Sequence, residues 1–139
     1  MHILLVEDDD VDAEVVYRFR SRYWPDLIIV RAVDGIAALK LLRSAIDRSD
    51  SSKTIAILLA LHLPRMNGFE FLQELRLDKR MTSIPVLVMS DTDLPTAQQH
   101  VLAAQAWTCV TRQQLTERAE QLLHILALYA NRMDRRATL

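Results

Sequence analysis

Five short runs rich in Val, Ile and Leu, set between longer stretches of helical period, constrain this chain more than any other feature. The runs are His2–Val6, Leu27–Ala32, Thr54–Ala60, Pro85–Ser90 and Ala106–Val110, the last being the weakest. A run that stays apolar instead of alternating belongs to a strand covered on both faces. Helices between successive strands supply the covers, so the pattern predicts βα units around a buried parallel sheet. Helical period is expected over Val11–Tyr23, ended by Trp24-Pro25-Asp26, and over Ile36–Asp47, capped by Asp34. It is expected again over Gly68–Lys79, over Leu94–Ala104, where Pro95 suits a first turn, and over Gln113–Met133. The polar segment Asp47–Lys53 reads as a surface loop. With 139 residues and neither repeat nor interdomain linker, residues 1–139 are expected to form one α/β domain, a doubly wound five-stranded sheet with five helices.

Composition excludes several functions. Half of the residues are hydrophobic and a quarter charged, with a formal charge of -1 and a pI near 6.4. That provides no basic field for nucleic acid or an anionic membrane, and neither partner is expected. No apolar run approaches the ~20 residues of a membrane span, and Met1–Asp10 lacks the pattern of a signal peptide, so a cytoplasmic location is expected. The two glycines, Gly35 and Gly68, are too few for a P-loop or a dinucleotide-binding cluster. The four histidines, His2, His62, His100 and His124, are scattered without Cys/His companions at zinc spacing. The single cysteine, Cys109, cannot form an internal disulfide and reads as an inert buried thiol.

In an open parallel sheet, ligands sit beyond the carboxyl ends of the strands. Here the first run ends in Glu7-Asp8-Asp9-Asp10, the third in Ala60, the fourth in Ser90-Asp91 and the fifth in Val110-Thr111. Taken alone, the acidic run suits a helix entry, with Asp9 or Asp10 as cap and the dipole favouring the charge. Ser90 alone suits a cap for the next helix or a bond to the loop backbone. His62 and His100 suit ordinary surface positions.

Together, Ile3–Asp9 (ILLVEDD), Ala32–Leu39 (AVDGIAAL), Ile57–Leu72 (ILLALHLPRMNGFEFL), Ile84–Ser90 (IPVLVMS) and Ala104–Val110 (AQAWTCV) have the order and spacing of a known family. The chain resembles the receiver domain of two-component response regulators along nearly its whole length. Its start and its long last helix are most similar to the small single-domain regulators associated with bacterial phytochromes. The resemblance implies a flavodoxin-like sheet of order 2-1-3-4-5, and as partner a histidine kinase, such as a bacterial phytochrome, or a phosphotransfer protein. It also implies a site in which an acidic pair holds Mg²⁺, an aspartate accepts phosphoryl, a Ser/Thr senses the phosphate and a lysine pairs with it. Such a site works only if cations neutralise the transferring oxygens, so its parts must converge.

Carried across residue by residue, Glu7 and Asp8 match the acidic pair, the backbone carbonyl of His62 a further metal ligand, and Ser90 the sensing hydroxyl. Trp107 matches the aromatic that moves with that hydroxyl. Ala60 falls at the acceptor aspartate, Val110 at the lysine and Thr111 at the proline after it. A methyl group is not a nucleophile, and neither His62 nor Asp91 has the approach geometry to replace one. No acyl-phosphate and no enzymatic activity are therefore expected. Arg112 is the only cation that sequence proximity suggests near the lysine position. Two carboxylates without a third hold Mg²⁺ weakly, so no cofactor is expected beyond such vestigial binding. Loss of both the aspartate and the lysine keeps the local charge sum at about -2, which leaves no unmatched buried charge.

These features imply a pseudo-receiver acting by phosphorylation-independent binding. The alternative is a phosphoacceptor regulator inactivated by an engineered Asp-to-Ala substitution at position 60, natively taking phosphoryl from a histidine kinase. A further regulator class, one that binds DNA, would need a helix-turn-helix segment, and none is seen. On the last helix Leu115, Ala119, Leu122, Leu126, Tyr129 and Met133 form a stripe, and Leu123, Ile125 and Leu128 lie off it. One contact with the sheet cannot cover so much apolar circumference, which predicts a homodimer through this helix and the neighbouring fifth strand or fourth helix. The basic end, Arg132, Arg135 and Arg136, suits the helix dipole.

Overall fold

The computed structural model describes residues 2–47, 54–90, 94–103, 105–106 and 108–117. The elements are β1 (His2–Val6), α1 (Asp10–Tyr23), β2 (Ile28–Ala32), α2 (Gly35–Asp47), β3 (Thr54–Ala60) and α3 (Gly68–Leu77). They continue with β4 (Val86–Ser90), α4 (Thr96–Ala103), β5 (Thr108–Thr111) and α5, described over Arg112–Glu117. The sheet is five-stranded in the order β2-β1-β3-β4-β5, and every pairing is parallel. Both the fold class and the strand order agree with the sequence reading.

Alternate residues of the strands feed two cores, as a sheet covered on both faces requires. On one face Leu4, Val6, Ile57, Leu59, Val86 and Val88 pack with Leu39 and Leu42 of α2, Phe71, Leu72 and Leu75 of α3, and Leu102 of α4. On the other, Ile3, Leu5, Ala56, Leu58, Leu87, Met89 and Val110 pack with Ala13 and Val16 of α1. Complete burial of one such Leu or Ile side chain stabilises the fold by about 2 kcal/mol.

Element ends follow local hydrogen bonding. Asp9 caps α1, its carboxylate accepting from the N–H groups of Val11 at 2.8 Å and Asp12 at 3.0 Å. Asn67 and Glu70 form a capping box at α3. That helix stops at Leu77, two residues before the expected Lys79, because Asp78 turns out of it and binds the N–H and guanidinium of Arg80 at 3.0–3.1 Å. Strand β5 is described over Thr108–Thr111 and does not include Ala106, because the N–H groups of Gln105 and Ala106 close the end of α4 on the carbonyl of Leu102. Arg76 ties α3 to two segments, donating to the carbonyl of Gln105 (2.7 Å) and to those of Thr82 (2.9 Å) and Ile84 (3.3 Å). Sequence patterning carried no sign of that clamp.

Candidate functional site at the carboxyl end of the sheet

The strand ends converge as predicted on an acidic cleft of about 180 Å³ lined by Glu7, Asp8, Asp9, Asp12, Ala60, Leu61, His62, Met89 and Ser90. Sheet register explains part of this lining. Ala60 pairs with Met89, and Met89 pairs with Val110. Val6 pairs with Leu59, which sets Glu7 beside Ala60 at the next step. Partners in parallel strands share a face. Glu7, Ala60, Met89 and Val110 therefore form one row across four strands, on the side where α1 packs. All four are buried, Glu7 at 1 % exposure and Ala60 and Val110 at 2 % each. Asp8 and His62 are exposed at the rim.

Some assignments change. Asp9 is the helix cap, whereas Asp10 is the first helical residue and binds Arg31 Nη1 at 2.8 Å. Ser90 does not cap the next helix, since α4 begins six residues later at Thr96; it ends β4, is buried and pairs with Thr111. Cys109 is half-buried and lines a surface cleft, so it is not the enclosed thiol expected from its apolar neighbours. Asp91, Trp107, Leu122, Leu126, Tyr129 and Met133 lie outside the described residues, as does the side chain of Leu115.

Two arginines escaped the sequence reading. Arg31, on β2, donates from Nε to the carbonyl of Glu7 at 2.9 Å, as well as to Asp10. A cation thus braces the acidic corner from the neighbouring strand, which a reading confined to Arg112 passes over. Arg65 donates to the buried carboxylate of Asp34 from Nε at 2.8 Å and Nη2 at 2.6 Å. It does so from the left-handed region, φ 63°. Asp34 caps α2 as expected, accepting from the Ala37 N–H at 2.8 Å. A buried acid at a helix start calls for a counter-charge, and that was the available signal.

The Ala37 N–H holds the Asp34 carboxyl below the usual carboxylate range, and Arg65 helps, while burial pushes the other way. A carboxyl depressed in the folded state contributes stability that is complete above its unfolded value near ~3.9 and disappears as pH falls through the folded value. Asn at position 34 keeps the cap but removes the charge. Asp34→Asn is expected to cost at most about 1 kcal/mol at pH 7, because the Arg65 side chain is 59 % exposed. Urea midpoints at pH 7 and pH 3 should show that gap closing in acid; a gap independent of pH would contradict the charge assignment.

Among the described residues no three His, Cys, Asp or Glu side chains are grouped to hold a metal.

An open parallel sheet with carboxylates and a hydroxyl gathered at one end defines a class, the doubly wound α/β domains with an acidic cleft beyond the strand ends. Comparison with known proteins identifies the member. The model of the response regulator receiver domain matches residues 3–124, and the chain belongs to that family. The response regulator Rcp1 of Synechocystis is 37 % identical over 90 residues, 63 % of this chain and 60 % of the relative. The chain thus spans about three fifths of the length of that curated relative. The phosphorylated cyanobacterial phytochrome response regulator RcpA superposes with a TM-score of 0.73 at 26 % identity, covering 87 % of this chain and 89 % of that one. The Mn²⁺-bound form of Rcp1 superposes with a TM-score of 0.72 at 25 % identity, covering 89 % and 90 %. Among the described residues no helix is long and apolar enough to cross a membrane.

Proposed function

We propose that this chain is a pseudo-receiver of a two-component system, a domain that signals by binding and does not accept phosphoryl. The reading is supported by the row Glu7–Ala60–Met89–Val110, which carries a methyl and an isopropyl group at the positions that the resemblance assigns to the nucleophile and the cation. Ala60 offers no lone pair to attack phosphorus, and Val110 no charge to offset its oxygens. The buried Glu7 and exposed Asp8 are what remains of the acidic pair, and they hold Mg²⁺ weakly at most. Ser90 and Trp107 are remnants of phosphate sensing with no phosphate to read.

The candidate partners are a histidine kinase, which the similarity to the phytochrome response regulator RcpA suggests is a phytochrome, a phosphotransfer protein, or a second copy joined through Leu115, Leu122, Leu126, Tyr129 and Met133. Without a chemical switch, the occupied fraction is set by partner concentration or by another ligand.

The test is incubation with acetyl phosphate and Mg²⁺, read as phosphoprotein. The unaltered chain is expected to stay unlabelled, and the Ala60→Asp variant to label poorly because Val110 supplies no counter-charge. Efficient labelling of Ala60→Asp would support instead a competent receiver disabled at one position.

A further inference from the structure

Helix α1 packs on the sheet through Ala13 and Val16 and carries two further rows of four-residue spacing. One row is charged: Asp10 and Glu14 in the first half of the helix, Arg18 and Arg22 in the second, all four exposed. The neighbouring row is apolar: Val11, Val15, Phe19 and Tyr23. Val11 is 76 % exposed, the other three are half-buried, and among the described residues none belongs to either core. A surface helix ordinarily keeps polar residues opposite its core face. An apolar row beside a charged one therefore marks a surface suited to a partner. We propose that this partner is a second copy of the chain, the two α1 helices pairing antiparallel about a two-fold axis at the level of Val16.

The charge order selects that occupant and that direction. An antiparallel pair centred there sets Asp10 opposite Arg22 and Glu14 opposite Arg18, each contact occurring twice, as an isologous interface requires. A parallel pair would set acid on acid and base on base, which like-charge repulsion disfavours. Rows of four-residue spacing are also the ridges that interdigitate in the commonest class of helix packing. The contacts these side chains already make leave them open. Glu14 and Arg18 approach only to 3.7 Å, with side chains 56 % and 79 % exposed. The Asp10 carboxylate bonds Arg31 yet its side chain is 93 % exposed, and Arg22 rests over the Tyr23 ring at 5.4 Å. One helix of 14 residues from each copy makes a contact below standard size, so the association is weak. It brings Arg22 of the partner subunit toward the rim of the acidic cleft, because Asp10 directly follows Asp9, which lines that cleft.

The proposal rests neither on the reading of Ala60 nor on the contact through the last helix. Its test is sedimentation of the full chain at low ionic strength and at concentrations up to about 1 mM, where weak contacts register. A reversible dimer that weakens as salt is added is expected. Glu14→Arg and Arg18→Glu should each weaken it about tenfold or more, since each opposes like charges across the axis. An equimolar mixture of the two variants should recover the association, because each introduced charge then meets its opposite on the other chain. Both positions are exposed, and far-UV circular dichroism checks both folds. A monomer throughout, a dimer that neither variant weakens, or a mixture no stronger than its components would overturn the proposal.

Discussion

Replacing Gly68 by alanine is expected to lower the melting temperature by about 10 °C, equivalent to roughly 3 kcal/mol for a domain of this size. The cause is space. Gly68 has no positive φ, so any residue could adopt its backbone conformation. A Cβ there, however, would lie 2.7 Å from the Ala60 carbonyl oxygen and 2.8 Å from the Leu61 Cα. Both obstacles are backbone at the end of β3, held further by the Gly68 N–H bond to the Leu61 carbonyl at 2.9 Å. Neither can move without displacing the strand end that carries the site. At Gly35 a Cβ would meet the Met66 Cγ at 2.8 Å and the Met66 oxygen at 2.9 Å, and part of that obstacle is a flexible side chain. Gly35→Ala should therefore cost less than Gly68→Ala. Thermal melts of the two variants check the order; equal losses would show that the approach of α3 to β3 is looser than its geometry.

The second large effect concerns the buried row. Asp at position 60 would bring a third carboxylate to the side of Glu7, which is 1 % exposed. Its charge would have no partner in the row, and a destabilisation of about 3 kcal/mol is expected. Lys at position 110 would bury an ammonium at a site 2 % exposed, with a cost of similar size, about 3 kcal/mol. The two positions lie two strand spacings apart on the same face, about 10 Å between backbones, which a lysine side chain can bridge over Met89. The double variant Ala60→Asp/Val110→Lys should recover about 2 kcal/mol relative to the sum of the single losses. Urea denaturation of the four proteins measures that coupling. Additive losses would mean that the row does not place the two groups within reach. The uncharged pair Ala60 and Val110 leaves no buried charge to compensate.

Much of this was legible in the sequence, for identifiable reasons. Continuous apolar runs interrupted by helical period admit few arrangements other than a covered parallel sheet, and the rule for ligands at strand ends put Glu7, Asp8, Ala60 and Ser90 in one place. Asp34 as the α2 cap and Asp9 as one of two candidate caps were readable because capping is local. What escaped is long-range. Arg31 reaches the Glu7 carbonyl across 24 positions and Arg65 reaches Asp34 across 31, and no spacing rule connects such pairs. Arg76 was hidden for a related reason: the acceptors at Gln105, Thr82 and Ile84 are backbone carbonyls, which every residue possesses. The end of α3 moved by two residues, and Ala106 fell outside β5, because one turn at Asp78 and another at Leu102 capture groups that periodicity assigns to the neighbouring strand or helix.

The proposed lack of an oxygen nucleophile at position 60 is tested most directly by the intact mass of the unaltered chain after exposure to a phosphorylated histidine kinase and Mg²⁺. An unchanged mass is expected, with phosphoryl retained by the kinase. A phosphorylated, hydroxylamine-sensitive adduct on the chain would contradict it.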